Sequence, residues 1–148
     1  MRSRKSWGVI ERTFIDTSGW ANLFVRSERY HGEVKTWFAR TEKSPGVMVT
    51  SNLVLLELIT LFDSPLRLPR LQALEYITAI ESASYVQVVR VDAKTERAAW
   101  QLLRDRVDKQ WSLVDATSFL IMSSLEITSA LTNDRHFEQA GFMRLLKP

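Results

Sequence analysis

The sequence predicts an α/β fold with a mostly parallel central sheet and helices on both of its faces. Short apolar strands alternate with helical segments along the chain, which is the pattern of successive βα units. With 148 residues, 45% of them hydrophobic and 25% charged, the composition is that of an ordinary globular domain. No internal repeat or linker rich in Gly, Pro and Ser divides the chain. We therefore expect one domain, residues 13–148, after a basic extension at residues 1–12 that we expect to be disordered.

The first part of the chain contains two predicted strands and the helical segments between them. The expected elements are a strand at TFID (13–16), helical residues at SGWANLFVR (18–26) and YHGEVKTWFAR (30–40), a turn at KSPG (43–46), and a strand at GVMVT (46–50). Each strand is followed at once by a helical pattern, as a parallel sheet requires.

The second strand leads into a helix with an acid in its middle. Apolar residues occupy eight of the ten positions from Leu53 to Phe62, so this helix is expected to be buried nearly all round, with Glu57 in or beside a core. A buried carboxylate is costly unless it holds a proton, finds a partner or binds a metal. A local gap to solvent, a buried arginine partner, and a side chain that reaches past its neighbours all remain open.

Two prolines in DSPLRLP (63–69) end this helix, and the alternation then continues to the end of the chain. The predicted elements are a helix at 70–82, a strand at 85–91, a helix at 92–107 capped by Asp92, a helix at 112–126, a strand at 127–132, a short helix at 134–140 and a strand at 142–146.

The amino-acid composition excludes several kinds of chemistry. The chain has no cysteine, which rules out disulfides, thiolate nucleophiles and zinc–thiolate sites, and only two histidines. The apolar runs are too short for a membrane span and the first residues lack the apolar core of a signal peptide, so we expect a cytoplasmic protein without membrane contact. The net charge of +3 comes from residues 1–12, which hold four basic residues and one glutamate. This extension can touch phosphates or simply solubilise the chain.

Four acidic residues fall where a parallel sheet gathers its functional groups, beyond the carboxyl ends of the strands. Asp16 and Asp134 follow predicted strands, and Asp115 lies in the first turn of an apolar helix. Each aspartate also has a helix-capping role available, with Ser112 and Asp115 at the spacing of a capping box. Glu57 has no such role. Carboxylates this close repel unless a cation neutralises them, and an all-oxygen cluster suits Mg²⁺ or Mn²⁺ rather than zinc.

The ordered set of these segments resembles the PIN-domain ribonucleases. The segments are TFIDTS (13–18), the single acid within VTSNLVLLELITLF (49–62), SLVDATSF (112–119) and ALTNDRHFEQAGF (130–142). Within that family the chain is most similar to the VapC-type toxins of prokaryotic toxin–antitoxin pairs, over residues 13–146. The resemblance implies a three-layer α/β/α sandwich and a metal-dependent endoribonuclease whose acidic pocket holds Mg²⁺ or Mn²⁺.

The resemblance also implies roles for particular residues. The catalytic and metal-binding acids would be Asp16, Glu57, Asp115 and Asp134, and the hydroxyl of Thr132 would support the pocket. It further implies an antitoxin protein as partner. A homodimer is expected too, because the apolar faces of residues 23–38 and 70–80 exceed what a small monomer needs.

Two residues depart from the family pattern, and both are expected beside the site rather than in it. Glu126 stands where a glycine is frequent, and Asn133 replaces an apolar residue. RNA has to be held outside the anionic pocket, and the candidates for this are Arg135, Lys109 and Trp111. Scattered basic residues are nevertheless usually solvated, and a tryptophan more often anchors a core.

Other interpretations remain open at this point. A histidine two residues after an acid is more often structural than a general base, so His136 is given no catalytic role. A phosphoaspartyl phosphatase would need a second Asp two residues after Asp16, where Ser18 stands. A receiver domain would need a late Lys-Pro pair after a strand, and only the last two residues offer one. A catalytically silent PIN-fold module that binds RNA or protein is the remaining alternative.

Overall fold

The sheet has five strands, all parallel in the part of the chain that the structure describes. The structure is a computed structural model and describes residues 11–41 and 43–148. The strands are β1 (Thr13–Ile15), β2 (Met48–Ser51), β3 (Val86–Val89), β4 (Ser129–Leu131) and β5 (Met143–Arg144), in the spatial order β3-β2-β1-β4-β5. The predicted α/β fold with a parallel sheet is confirmed.

Seven helices connect these strands within the described residues. They are α1 (Thr17–Phe24), α2 (His31–Arg40), α3 (Asn52–Asp63), α4 (Arg70–Ser82), α5 (Ala93–Asp105), α6 (Leu113–Ser124) and α7 (Arg135–Gln139). Right-handed crossovers place the helices before β3 on one face and those after it on the other, because the strand order runs outwards from β1 in opposite directions. The packing agrees, since α1 contacts α2 and α3 on one side while α6 contacts α5 and α7 on the other.

The central strand β1 is the reason that the functional groups meet. Phe14 and Ile15 are fully buried, as expected for a strand covered on both faces. Phe14 is paired with Val49 of β2 and with Ala130 of β4. The carboxyl ends of three neighbouring strands therefore lie side by side, and the residues that follow them face one crevice.

The prediction that the Glu57 helix is buried all round is wrong. Val54, Leu58 and Phe62 of α3 are fully buried, but Leu56 is 62% exposed and Glu57 is also on the exposed side. The helix packs through one face only, and Leu56 lies on the other face. A leucine on the surface is common, because apolar composition does not by itself fix which side of a helix is buried.

The structure describes only the end of the predicted basic extension. Residues 1–10 of the predicted basic extension lie outside the described residues. Arg12, at the end of that extension, donates a hydrogen bond from Nη2 to the Leu125 carbonyl at 3.1 Å.

None of the described helices combines the length and the apolar character needed to cross a membrane, and the cytoplasmic location stays a prediction.

Candidate active site

A cavity of about 710 Å³ lies at the carboxyl ends of β1 and β4, and acidic side chains line it. Asp16, Glu57 and Asp134 reach it from three separate segments, and His136 lies beside them. We call it the acidic cavity. Asp115 is not in its wall, but it is buried directly behind His136, as described below. The structure thus brings together the four acids that the sequence singled out.

Asp16 sits at the N-cap position of α1, yet its side chain makes no capping hydrogen bond there. Its Oδ2 instead accepts a hydrogen bond from Thr132 Oγ1 at 2.8 Å. Burial of Asp16 raises its pKa from 3.8 to about 7, and the negative charges of Glu57 and Asp115 add to the shift. The capping alternative is therefore not what the structure shows for Asp16.

The Thr132 hydroxyl connects the two acids that follow β1 and β4. It donates to Asp16 and accepts a hydrogen bond from the backbone N–H of Asp134 at 3.0 Å. Ser18 Oγ lies 3.2 Å from the same hydroxyl and accepts from the Asn133 backbone N–H at 3.0 Å. This network fixes the β4–α7 loop against the start of α1.

Glu57 extends from α3 towards the start of α1. The Thr17 hydroxyl donates a hydrogen bond to Glu57 Oε1. Partial burial raises the pKa of Glu57, and the charges of Asp115 and Asp134 raise it further. Among the described residues no arginine or lysine forms an ion pair with Glu57. The exposed side of Glu57 opens into the acidic cavity, which fits the alternative of a local gap to solvent and leaves the carboxylate accessible to a cation.

Asp115 has the predicted capping-box geometry at the start of α6. Its backbone N–H donates to Ser112 Oγ, and its Oδ2 accepts from the Ser112 backbone N–H, both at 3.0 Å. The residue is 7% exposed. Every hydrogen bond recorded for this carboxylate in the described structure ends on Oδ2. Capping therefore leaves Oδ1 available for a cation.

His136 lies in the wall of the acidic cavity, although the sequence pattern assigned it no role there. Asp134 caps α7 by accepting the His136 backbone N–H at 2.9 Å, and this turns the imidazole inwards. His136 Nδ1 then lies 2.8 Å from Asp115 Oδ2 and 3.4 Å from Asp134 Oδ1. The available signal was its position two residues after an acid at a strand end, which by itself is weak.

The donor atoms fit a divalent cation. One ligand atom each from Asp115, Asp134 and His136 lie within 4.8 Å of one another. Asp16 and Glu57 lie outside this tight group, but both have raised pKa values, because burial and the neighbouring negative charges disfavour their ionised forms. A set of carboxylate oxygens with one imidazole nitrogen suits Mn²⁺ at least as well as Mg²⁺. Beside the carboxylate oxygens expected from the sequence, this group thus also offers one imidazole nitrogen.

Of the three residues proposed to hold RNA, only Arg135 lies in the wall of the cavity. Lys109 is next to Asp108, with Nζ 3.9 Å from its Oδ2. Trp111 is 9% exposed, with its ring edge-to-face on Phe119. The prediction of a stacking surface at Trp111 is not supported, because the ring is part of the core.

The two departures from the family pattern have different outcomes. Glu126 has a φ of 57°, a left-handed conformation that favours glycine, so the turn is kept despite the side chain. Asn133 lines the acidic cavity and was wrongly expected beside it. The reason is that the backbone N–H of Asn133 donates a hydrogen bond to Ser18 Oγ, which lines the same cavity.

The fold and this acidic cavity define a class of protein: the chain belongs to the PIN domain family, whose model matches residues 13–143. It is 36% identical over 132 residues to the 23S rRNA-specific endonuclease VapC20 of Mycobacterium tuberculosis, and the match covers 89% of this chain and 96% of that protein. The resemblance to PIN-domain ribonucleases of the VapC type is confirmed.

Solved structures give the same result. The crystal structure of Mycobacterium tuberculosis VapC20, a sarcin–ricin loop cleaving toxin, matches with a TM-score of 0.80 at 33% identity over 92% of this chain and 99% of that chain. PAE2754 from Pyrobaculum aerophilum matches with a TM-score of 0.62 at 14% identity, over 91% of this chain and 90% of that one. The second likeness shows the fold alone. The predicted three-layer PIN-like architecture is confirmed.

Proposed function

We propose that this chain is a divalent-metal-dependent endoribonuclease that cleaves 23S rRNA in the sarcin–ricin loop, as the toxin of a toxin–antitoxin pair. The observation that carries the proposal is that Asp16, Glu57 and Asp134 line one cavity with Asp115 buried behind His136. Among the described residues no lysine or arginine forms an ion pair with any of these four acids. The substrate is taken from VapC20, whose 36% identity extends over 89% of this chain. Near-complete coverage supports the same class of reaction here.

The acidic residues would hold Mg²⁺ or Mn²⁺. We assign Asp115, Asp134 and His136 to the tight ligand group, with Asp16 and Glu57 completing the site. When bound, such a cation would stabilise negative charge that develops on the scissile phosphodiester and would lower the pKa of a water molecule bound to it. Burial of Asp16 is the physical reason that a cation fits, because its hydrogen bond from Thr132 does not offset the cost of burying the ionised carboxylate.

The remaining polar residues hold the acids in place. Thr132 orients Asp16 and the Asp134 backbone, and Thr17 orients Glu57. The Ser112 capping box fixes Asp115. Each of these contacts is made by a residue at the start of a helix or the end of a strand, so the geometry of the site depends on the rigid sheet. Side chains that are held in place before the reaction can stabilise the charge that develops in the transition state of phosphodiester cleavage.

We also propose an antitoxin protein as partner and a homodimer as the assembled form. Large apolar side chains remain exposed on α3 and α4, where Leu56 is 62%, Leu71 70% and Leu74 44% exposed. Exposed leucines on neighbouring helices support an interface on this side of the molecule. The two helices also contact each other.

Cleavage of ribosomal RNA tests the proposal. Wild-type protein, freed of any co-purifying inhibitor, is incubated with 23S rRNA and Mg²⁺ or Mn²⁺, and the ends of the fragments are mapped. We expect one main cut in the sarcin–ricin loop, no cut with EDTA, and cleavage by Asp16→Ala that is slower by on the order of a hundredfold or more. Intact RNA after incubation with folded wild type would support a catalytically silent module instead. Equal cleavage by Asp16→Ala would contradict the site.

A further inference from the structure

A second cavity, of about 370 Å³, adjoins the acidic cavity and is lined by basic side chains. Glu28, Asn133 and Arg135 line both cavities, so the two are neighbours on one surface. Arg29 and Arg144 complete the basic wall of the second cavity. We call it the arginine cavity. A ligand too long for the acidic cavity can extend into it.

The two cavities have opposite charge. The lining of the arginine cavity contains three guanidinium groups and one acidic side chain, that of Glu28. The wall of the acidic cavity contains four carboxylates, those of Asp16, Glu28, Glu57 and Asp134, and one guanidinium, that of Arg135. A polyanion such as RNA is repelled by carboxylates, so its neighbouring phosphates need cationic contacts close by. The arginine cavity supplies these contacts within reach of the acidic cavity.

Two of its arginines are free to bind an anion. Arg29 and Arg135 are exposed, and neither forms an ion pair with any residue in the described ranges. The Arg29 guanidinium lies 5.1 Å from the centre of the Tyr30 ring, which limits its orientation. Guanidinium groups bind phosphate through two parallel hydrogen bonds, which a lysine cannot do.

The third arginine connects this cavity to the β4–α7 loop. Arg144 Nη1 donates to the Asn133 carbonyl at 2.9 Å, and its Nη2 lies 3.3 Å from Glu138 Oε1. Its buried Nε has no hydrogen-bond partner among the described residues. The Asn133 N–H in turn donates to Ser18 at the acidic cavity. The loop between the two cavities is therefore held from both sides.

We propose that the arginine cavity binds a backbone phosphate of the RNA substrate beside the scissile bond, through Arg29 and Arg135, with Arg144 positioning the loop between the cavities. The inference rests on the proposed function and names how its substrate is held. The ligand is a phosphodiester of single-stranded RNA, recognised by charge and shape rather than by base identity.

Binding of a sarcin–ricin loop hairpin RNA tests the proposal. All proteins carry Asp115→Asn so that the RNA stays intact, and affinity is measured by fluorescence anisotropy at several salt concentrations. The test variant is Arg29→Gln with Arg135→Gln. The control is Arg97→Gln with Arg104→Gln, which removes the same charge from exposed positions on α5 that line neither cavity.

We expect the test variant to bind about tenfold more weakly or worse, while the control stays close to the parent. The slope of log affinity against log salt should fall by roughly 0.7 for each phosphate that the variant no longer binds. With Asp115 restored, the test variant should show a raised KM and a kcat near wild type, because an arginine–phosphate pair holds substrate and transition state alike. Equal affinities for test variant and control would overturn the proposal. Failure of wild type to cut the hairpin would contradict the proposed function, and the binding comparison would still decide on the arginine cavity.

Discussion

His136 Nδ1 lies 2.8 Å from Oδ2 of Asp115, so an imidazole from α7 holds a carboxylate from α6. The same carboxylate oxygen accepts the Ser112 backbone N–H of the capping box. Two contacts on one oxygen fix the plane of the carboxylate and direct Oδ1 away from both. Under the proposed function, the imidazole therefore orients a metal ligand.

Replacing His136 should weaken metal binding. We expect His136→Ala to lower Mn²⁺ affinity and the cleavage rate by about 10- to 100-fold, because the loss of a ligand or of its orienting partner has effects of this size. Calorimetric titration with Mn²⁺ measures the affinity. The control is His31→Ala, which removes the second histidine of the chain, bound to the Asn22 carbonyl outside the acidic cavity. Equal affinities for the two variants would rule out the proposed role.

The carboxylate of Glu57 should contribute to cation affinity through its charge. Glu57→Gln keeps an oxygen that accepts the Thr17 hydroxyl but removes the negative charge. We expect about tenfold weaker Mn²⁺ binding in calorimetry. Glu75→Gln on α4 is the matched control, since Glu75 is exposed and lines none of the cavities described above. If Glu57→Gln binds Mn²⁺ as tightly as Glu75→Gln does, Glu57 is not part of the metal site.

The stability of the metal-free protein should fall as the pH rises. Burial raises the pKa of Asp16 from 3.8 to about 7 in the folded protein, so between these values the folded state binds more protons than the unfolded state. The free energy of unfolding contributed by this group therefore decreases from about pH 4 to about pH 7 and is constant above. Urea unfolding in EDTA measures this decrease.

The variant Asp16→Asn isolates this contribution. It keeps an acceptor for Thr132 but cannot ionise, so it should lose most of the decrease and be more stable than wild type above about pH 7. Mn²⁺ should stabilise wild type far more than the variant, because a ligand bound only by the folded state adds to its stability. A wild type that gains stability over this range, in parallel with Asp16→Asn, would show that Asp16 is not the buried acid described here.

A larger residue at Gly19 should push α1 away from β4 and so displace the residues of the acidic cavity that these elements carry. A Cβ at Gly19 of α1 would lie 2.4 Å from the Leu131 carbonyl of β4, whereas a Cβ at Gly32 of α2 would meet nothing within 4 Å. We expect Gly19→Ala to destabilise the protein by about 1–3 kcal/mol and to lower the cleavage rate. Gly32→Ala should be neutral or stabilising by up to about 1 kcal/mol. Thermal unfolding of both variants checks this, and equal effects would contradict the close packing of α1 on β4.

Much of the fold was predictable because it depends on local patterns. The capping box of Ser112 and Asp115 is fixed by a spacing of three residues, and the structure has both of its hydrogen bonds. The position of Asp16 after β1 follows from a short apolar strand that ends in an acid. Since parallel strands align their carboxyl ends, the convergence of distant acids follows from the same patterns.

What the sequence did not predict depends on tertiary contacts. The contact between His136 and Asp115 joins residues 21 apart on two helices, and no local pattern encodes it. The sequence left Trp111 open between a core anchor and a stacking surface, and its burial depends on Phe119 and on Gln139, which accepts its indole N–H at 3.0 Å. The exposed side of α3 depends on which face meets the sheet, and its apolar composition does not reveal this.

The central claim is that four carboxylates from separate segments of the chain bind one catalytic cation centre. The most direct measurement is anomalous diffraction at the manganese edge from crystals of the protein grown with Mn²⁺. We predict a peak in the acidic cavity, in contact with Asp115 and Asp134, that disappears in Asp115→Asn. A cavity without manganese in well-diffracting wild-type crystals, or a peak that is unchanged in Asp115→Asn, would contradict the claim.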